Sequence, residues 1–193
     1  MDLFIEKGGI YFSIILKPTI SPMHAPKTTL MAAVAVARTI KKLFDLKPKL
    51  KWPNDVLIDN KKVCGILAEM DAEIDRINFI NLGIGINVNN NISKKEKMAI
   101  SLKEALGKRV DRKMFFTILL EEIKKLYHFL ESPDLLKEWK NLSVTLGKNV
   151  KIIELDKKII GKAIDIDENG ALIIETHDGT LKSIFAGDCV HLR

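Results

Sequence analysis

Three side chains in the short segment "KWPND", residues 51–55, have types that suit the activation of a carboxylic acid: Lys51, Asn54 and Asp55. A lysine is a compact cation that can neutralise a carboxylate or a phosphoryl group. An asparagine both donates and accepts hydrogen bonds, so it can recognise the edge of a purine or a ureido-like group. Because a carboxylate is already a nucleophile, its activation by ATP needs charge neutralisation and alignment rather than a histidine base. The same segment is also typical of a plain turn, and these residues alone leave both interpretations open.

Glycines and a further asparagine follow on the next predicted strands. Gly65 interrupts the apolar segment "VCGILAEM", where the missing side chain lets a ligand approach the backbone or permits a bulge. Asn87 comes after Gly83 and Gly85 in "GIGIN". The pattern does not extend to GxGxxG, because position 88 is valine, so it argues against a Rossmann dinucleotide site.

Composition limits the classes of protein that fit this sequence. The 193 residues are 47% hydrophobic, which suffices for one medium domain with a small appendage. The net charge of +6 favours anionic partners such as nucleotides without specifying nucleic acid. Cys64 and Cys189 have no CxxC spacing and the four histidines have no ligand spacing, so neither a disulfide framework nor a metal site is indicated. We find no signal peptide and no apolar run of membrane-spanning length, and we expect a cytoplasmic protein without a membrane partner.

The elements that must position the candidate residues begin with a predicted buried strand over residues 8–18. Apolar residues at helical spacing predict a helix over 27–45, with Pro26 at its first position. Residues 49–70 are predicted to form a hairpin that turns at "NKK", and residues 77–91 a third strand. Lys51, Asn54 and Asp55 therefore lie on one arm of the hairpin, Gly65 lies on the other, and Asn87 lies at the end of the next strand.

The C-terminal part of the sequence has a different character. A helix is predicted over 111–130, with Asp111 as its N-cap, and a shorter helix follows at "SPDLLKEWKNL". After about residue 143, five short alternating strands are separated by turn signals, which predicts a small SH3-like β-barrel. We therefore expect two units, residues 1–142 and 143–193.

The segments "KWPNDVLIDNKKVCGILAEM", "GIGINVNN", "AISLKEALG" and "GDCVHLR" together resemble the biotin protein ligases, also called biotin–[acetyl-CoA-carboxylase] ligases. The resemblance implies an α+β fold. It consists of a mixed, largely antiparallel sheet flanked by helices in a class II synthetase-like catalytic domain, followed by an SH3-like C-terminal domain. It also implies that biotin and ATP are joined with Mg²⁺ to give biotinyl-5′-AMP and pyrophosphate. Biotin is then transferred to a lysine of a biotin carboxyl carrier domain.

The resemblance implies roles for particular positions. Lys51 would lie beside the biotin carboxylate and the α-phosphate, as the catalytic residue. Asn54 and Asp55 would shape the nucleotide side, and Asn87 would approach the adenine. Three residues of the returning strand would line the biotin pocket: Gly65, Ile66 and Leu67. No residue is assigned as a protein ligand of a metal.

The start of the sequence departs from the family pattern. Family members carry a Ser-Thr-Asn segment, a Gln and a Gly- and Arg-rich loop before the strand that resembles "GGIYFSIILKP", whereas this sequence begins with "MDLFIEKGG". We therefore expect a catalytic domain that is incomplete at its N-terminus. The alternative function is a catalytically impaired fragment that acts only as a module binding the carrier domain.

Two expectations concern other partners. No winged-helix segment is evident, so binding to nucleic acid is not expected, although the charge of +6 leaves a basic nucleic-acid binder as a third reading. A homodimer formed through a sheet edge is expected by analogy with the family. Lipoate ligation is a neighbouring activity, and the "KWPND" context argues against it.

Overall fold

The computed structural model describes residues 7–154 and 157–192, and in that part of the chain two five-stranded sheets combine with four α-helices. The first six residues, which make up most of "MDLFIEKGG", lie outside the described residues. The elements before the second sheet are β1 (Ile10–Leu16), α1 (Pro26–Leu43), β2 (Lys49–Lys51), β3 (Asp55–Ile58), β4 (Lys61–Ala72), β5 (Ile77–Ile86), α2 (Leu102–Leu106), α3 (Arg112–Tyr127) and α4 (Pro133–Leu142).

The first sheet has the strand order β1-β5-β4-β3-β2, and all its strand pairs are antiparallel. The predicted hairpin over residues 49–70 is wrong in one respect, because its first arm consists of two strands. "KWPND" reverses the chain between β2 and β3, with a cis peptide bond between Trp52 and Pro53. The turn and the polar side chains are therefore features of the same five residues.

Helix α1 covers one face of this sheet and builds the core. Its apolar stripe is fully buried, as the helical spacing predicts, and the helix also packs against α3 and α4. The predicted N-cap of α3 is confirmed, since the Asp111 carboxylate accepts hydrogen bonds from the backbone of Lys113 and Met114. Trp139 of α4 is 1% exposed and packs in the core. The opposite face of the sheet is left for the site.

The second sheet contains β6 (Asn149–Glu154), β7 (Lys157–Ile166), β8 (Leu172–Thr176), β9 (Leu181–Ile184) and β10 (Asp188–His191). Its order is β10-β6-β7-β8-β9, again with antiparallel pairs, as expected for the predicted SH3-like unit. Its apolar residues alternate inward and include Val150, Ile152, Ile166 and Leu172.

Contacts at several places connect the residues after α4 to the first unit, and three of them show how the second sheet is positioned. Ser143 forms a parallel bridge with Leu50, at the free side of β2. Lys140 of α4 forms a 2.7 Å ion pair with Asp165 of β7. Gly170, in the turn before β8, lies so close to the start of α1 that a Cβ built on it would be 3.2 Å from the backbone nitrogen of Lys27. Among the described residues, the helices are too short or too polar to cross a bilayer.

Candidate active site

A row of paired residues crosses the open face of the first sheet from edge to edge. Lys51 of β2 pairs with Asp55 of β3, which pairs with Gly65 of β4; Gly65 pairs with Gly85 of β5, and Gly85 pairs with Tyr11 of β1. Directly paired residues point to the same face of a sheet. The row therefore presents a lysine, a carboxylate and a tyrosine on either side of two positions without side chains.

The two glycines make room for a cavity over the middle of this row. The cavity has a volume of about 350 Å³ and is lined by the whole row. Its other lining residues come from β3, β4, the turn between them and the segment after β5: Leu57, Asn60, Lys62, Asn87, Ile92, Glu96, Met98 and Ala99. A pocket of this size with few convergent polar groups is typical of a site for a small molecule.

Lys62 and Asp55 form the strongest electrostatic contact in the cavity. Lys62 Nζ lies 2.6 Å from Asp55 Oδ1, and the two side chains are 34% and 18% exposed. A Cβ built on Gly65 would lie 2.9 Å from Cε and 3.0 Å from Nζ of Lys62. The lysine side chain therefore lies across the space that the glycine leaves open.

Our sequence analysis missed Lys62 because it placed this residue in the turn "NKK", whereas Lys61 and Lys62 are the first two residues of β4 and a β-bulge follows them. With strict alternation along β4, Lys62 and Cys64 would share a face, opposite to Gly65. The register shifts here, because Leu57 pairs with Lys62 whereas Val56 pairs with Cys64, which leaves Val63 as the extra residue. The bulge turns Lys62 to the face of Gly65, and no periodic signal in the sequence reports it.

Asn87 is held at the edge of the cavity by three hydrogen bonds. Its backbone nitrogen donates to the carbonyl of Val63 at 2.8 Å, and its carbonyl accepts from Leu102 at 3.0 Å. Its side-chain oxygen accepts from Asn90 Nδ2 at 2.9 Å. The residue is thus fixed where β5 ends and the next loop begins.

The loop after Asn87 closes one side of the cavity and is fastened to Lys62. The backbone of Lys62 donates to Met98 and accepts from Ile100, at 2.8 and 3.0 Å. At the far end of the loop, Glu104 accepts hydrogen bonds from Ser93 and Ser101. Burial raises the pKa of Glu104, but these hydrogen bonds outweigh it and hold that pKa below its ordinary value.

The structure divides the seven predicted site residues between two neighbouring cavities. Lys51, Asp55, Gly65 and Asn87 line the cavity just described. The other three line a larger cavity of about 760 Å³, between the sheet, the start of α1 and the second sheet: Asn54, Ile66 and Leu67.

The residues of this second group differ in what their side chains do. Asn54 donates from Nδ2 to the carbonyl of Ile66 at 2.7 Å and so ties the "KWPND" turn to β4. The Ile66 side chain is buried in the core, whereas Leu67 is 49% exposed on the open face. Leu67 pairs with Gly83, one step along the sheet from the row that contains Gly65.

Comparisons with known proteins agree with this geometry. The model of the biotin/lipoate A/B protein ligase family matches residues 2–89, and that of the biotin protein ligase C terminal domain matches residues 145–192. The solved structure of the biotin protein ligase from Aquifex aeolicus in complex with biotin and ATP has a TM-score of 0.78 and 31% identity, covering 96% of this chain and 79% of that one. This chain belongs to the biotin protein ligase family. The family resemblance and the α+β fold expected from it are thereby confirmed.

Two curated biotin ligase relatives extend the comparison. The bifunctional ligase/repressor BirA of Bacillus subtilis (strain 168) is 38% identical over 192 residues, which cover 95% of this chain and 58% of that protein. The biotin–[acetyl-CoA-carboxylase] ligase of Mycobacterium tuberculosis is 32% identical over 171 residues, covering 86% and 62% respectively. The chain thus spans about three-fifths of the length of these biotin ligases. The roles of the individual site residues stay predictions.

Proposed function

We propose that this chain provides the site at which biotin is activated with ATP to biotinyl-5′-AMP and then transferred to a lysine of a biotin carboxyl carrier domain. The observation that carries the proposal is the Lys62–Asp55 pair beside Gly65, in the middle of a cavity that Lys51 also lines. Family membership supports it, as do the names of the relatives, one of which was solved with biotin and ATP. Lys51 and Lys62 are the two cations among the described residues that line this cavity.

In the first step, a carboxylate oxygen of biotin attacks the α-phosphorus of ATP, and the bond to the bridging oxygen breaks to release pyrophosphate. Negative charges crowd together as the two anions meet, so the lysines lower the barrier by neutralising them. Asp55 holds the Lys62 ammonium in place through the 2.6 Å contact. Fixed cations lose little free energy to reorganisation during the reaction, which favours the transition state.

In the second step, the neutral ε-amine of the acceptor lysine attacks the acyl carbon of biotinyl-5′-AMP. The acyl–oxygen bond breaks, AMP leaves with its phosphate charge, and the amine loses a proton as the amide forms. The same two cations stabilise the departing phosphate. The open face of the sheet gives the acceptor a route to the site, because among the described residues no helix covers it.

The residues of the cavity fit a Mg²⁺ ion that would be bound mainly by the phosphates of ATP. Within the described residues, no group of three or more His, Cys, Asp or Glu side chains could hold a metal ion. Mg²⁺ bound to ATP needs only one or two protein carboxylates besides the phosphates. Asp55 and Glu96 are the carboxylates that line the cavity. The ion would supply further charge neutralisation for the phosphates.

Two further features belong to this proposal. We assign residues 1–142 to the catalytic unit and residues 143–193 to the SH3-like unit. We also expect a homodimer that forms through the edge of the first sheet, since β1 pairs only with β5 among the described residues. Ile15 of β1 is 69% exposed, which adds apolar surface at that edge.

The test is the exchange of labelled pyrophosphate into ATP by the 193-residue chain, with biotin, with lipoate, or with neither acid. We expect exchange that depends on biotin, followed by transfer of biotin to an isolated carboxyl carrier domain. Pyrophosphate exchange with lipoate but not with biotin would show that lipoate is the carboxylic acid that the site activates. A chain that binds the carrier domain but neither binds biotin in calorimetry nor supports exchange would contradict the proposal and favour a binding module.

A further inference from the structure

One buried hydroxyl connects the last strand of the second sheet to the "KWPND" turn. Thr145 Oγ1 accepts a hydrogen bond from the backbone nitrogen of Trp52 at 3.0 Å, and it lies 3.1 Å from Nε2 of His191 in β10. Thr145 is fully buried and Trp52 is 2% exposed. The buried hydroxyl therefore contacts both units, the Trp52 backbone in the first and the partly buried His191 in the second.

The backbone around Thr145 shows that this contact continues a ladder. Ser143 bridges Leu50, and the nitrogen of Val144 donates to the carbonyl of Leu50 at 2.9 Å. The backbone nitrogen of Trp52 is the next donor along this segment. It donates its hydrogen bond to the Thr145 hydroxyl, where a regular ladder would have a backbone carbonyl as the acceptor. The peptide that joins Lys51 to Trp52 is thus held by a side chain whose own orientation depends on His191.

His191 lies in a positively charged and partly buried environment. Burial lowers the pKa of His191, and the charges of Lys51 and Lys148 lower it further. The charges of Lys51 and Asp55 also act on Cys189, two residues earlier on β10. The end of β10 therefore lies within electrostatic reach of two site residues, and His191 is neutral at neutral pH.

The hydrogen-bonding capacity of the three groups makes the contact depend on protonation. A neutral imidazole can accept the Thr145 hydroxyl proton at Nε2 while the hydroxyl oxygen accepts from Trp52. A protonated imidazole donates from both nitrogens, so the Thr145 proton loses its acceptor in a fully buried place. Protonation also puts a second positive charge beside Lys51.

We propose that Thr145 and His191 are positioning residues for the activation step, and that they fix the Lys51–Trp52 peptide, and with it Lys51, only while His191 is neutral. The proposal rests on the function proposed above. It makes the SH3-like unit part of the active-site support. It also predicts that acid weakens the site before it unfolds the protein.

The first test measures the contact without activity. The protection of the Trp52 amide from hydrogen exchange should fall about tenfold in Thr145→Val, because this substitution removes one hydrogen bond. Thr145→Ser keeps the hydroxyl, so the protection should be unchanged. In the unchanged chain, this protection should fall as pH drops through the pKa of His191, followed by NMR of its imidazole. Equal protection of Trp52 in Thr145→Val and the unchanged chain would overturn the proposal.

The second test uses the pH profile of biotin-dependent pyrophosphate exchange. His191→Leu should lower kcat/KM by about tenfold at neutral pH, because the Thr145 hydroxyl loses its partner. His191→Gln places a polar nitrogen and oxygen near Nε2 without titrating, so it should restore activity and flatten the acid limb. His177→Leu is the matched control, since His177 is an exposed histidine in the turn after β8 and forms no part of the contact with "KWPND".

The outcomes separate this proposal from the proposed function. Exchange in the unchanged chain, with an acid limb that His191→Gln leaves unaltered, would overturn the positioning role alone. The unchanged chain could also show no pyrophosphate exchange while Thr145→Val loses the amide protection of Trp52 as expected. That result would overturn the proposed function, and the positioning role in catalysis would fall with it. An acid limb that disappears in His191→Gln and persists in His177→Leu would support both.

Discussion

Lys62 and Asp55 come from adjacent strands of the first sheet, and their Nζ and Oδ1 atoms lie 2.6 Å apart beside a glycine. The pair is only partly exposed, with side-chain exposures of 34% and 18%, so solvent screens it less than a surface pair. A positive charge that is fixed next to an open backbone position is well suited to meet an anionic ligand.

The first prediction concerns the ammonium group of Lys62. Lys62→Met keeps most of the side-chain volume and removes the charge, so we expect kcat/KM for biotin-dependent pyrophosphate exchange to fall by about a hundredfold or more. Lys61→Met is the matched control, because Lys61 is the neighbouring position on β4 and does not line the cavity. Steady-state kinetics of the three proteins measure the difference.

Lys51→Met belongs in the same series, because it distinguishes the two lysines. If Lys51→Met abolishes exchange while Lys62→Met loses less than about threefold, the charge that matters is that of Lys51, and our assignment to Lys62 is wrong. A loss in both variants would show that the two anionic reactants need both cations.

The second prediction concerns the space over Gly65. A methyl group in Gly65→Ala would meet Cε and Nζ of Lys62 at 2.9 and 3.0 Å, so the lysine must move from its present position. We expect the Kd for biotin to rise by about tenfold, with a small change in stability, because the tip of a lysine can rotate away. Calorimetric titration with biotin and urea unfolding measure the two effects.

Gly83→Ala is the comparison for Gly65→Ala. Its methyl group would lie on the same face of the sheet and would meet no atom closer than 3.6 Å. If both variants weaken biotin binding equally, the ligand needs the bare backbone, and displacement of Lys62 is not the cause. A loss confined to Gly65→Ala supports the contact with Lys62.

The sequence predicted the long elements better than the site. Helices α1 and α3 have a single period over many residues, so their buried faces could be predicted from spacing. Strand β2 has only three residues, which is too short for any period, and the turn at "KWPND" was therefore not expected to separate two strands. Lys62 escaped prediction because the polar run "NKK" is typical of a turn, and the bulge at Val63 that turns Lys62 to the face of Gly65 has no periodic signal.

Contacts between residues distant in sequence could not be predicted either. Thr145 meets Trp52 across 93 positions, and nothing in the local pattern around either residue indicates the other. The glycines of the row were identified as open positions, but their alignment follows from the register of five strands. Register depends on packing against α1, which a single sequence does not specify in detail.

The third prediction concerns Glu122, a buried carboxylate of α3 that joins two helices. Its oxygens lie 3.4 Å from Lys42, 3.6 Å from Lys125 and 3.9 Å from Arg38. Glu122→Gln leaves three positive groups around a neutral amide, so we expect the free energy of unfolding to fall by about 1–2 kcal/mol. Glu121→Gln, at the exposed neighbouring position, should change it by less than about 0.5 kcal/mol.

Salt provides a further check on Glu122. If attraction to the cations stabilises the helix pair, added salt should reduce the difference between the unchanged chain and Glu122→Gln. A difference that persists at high salt would mean that the carboxylate acts through packing or neutral hydrogen bonding.

The fourth prediction concerns the two thiols. Burial raises the pKa of Cys189 to about 11, and burial also raises the pKa of Cys64. The folded protein therefore keeps these protons at pH values where an unfolded chain has begun to lose them, near 8.5, and stability should decrease as pH rises above that value. At pH 8 only about one Cys189 thiol in a thousand is ionised, so a disulfide reagent should react at least about a hundredfold faster in urea.

Variants with a single thiol show which cysteine gives each rate of reaction with the disulfide reagent. With Cys64→Ala, the remaining slow phase belongs to Cys189, and its rate should rise about tenfold for each pH unit below 11. Fast labelling of the folded protein at pH 8 would contradict the raised pKa or the burial of that thiol.

The last prediction concerns the way the second sheet rests on α1. Gly170 and Gly179 both have left-handed backbones, with φ values of +87° and +80°, so alanine costs about 1–2 kcal/mol of strain at either position. They differ in surroundings. A methyl group at Gly179 meets nothing within 4 Å, whereas one at Gly170 would lie 3.2 Å from the nitrogen of Lys27 and 3.4 Å from Cδ1 of Leu30. The first of these atoms is backbone, and the second belongs to a leucine side chain that is buried in the core.

Gly170→Ala should therefore lower the free energy of unfolding by about 1–3 kcal/mol more than Gly179→Ala, as measured by urea unfolding. The extra loss should also appear as faster amide exchange in the first turn of α1, because the clash falls on that backbone. Equal losses in the two variants would show that strain alone explains them, and that the turn before β8 does not hold the second sheet on the helix. A larger loss at Gly170 would instead identify this contact as one that fixes the second sheet relative to the catalytic cavity.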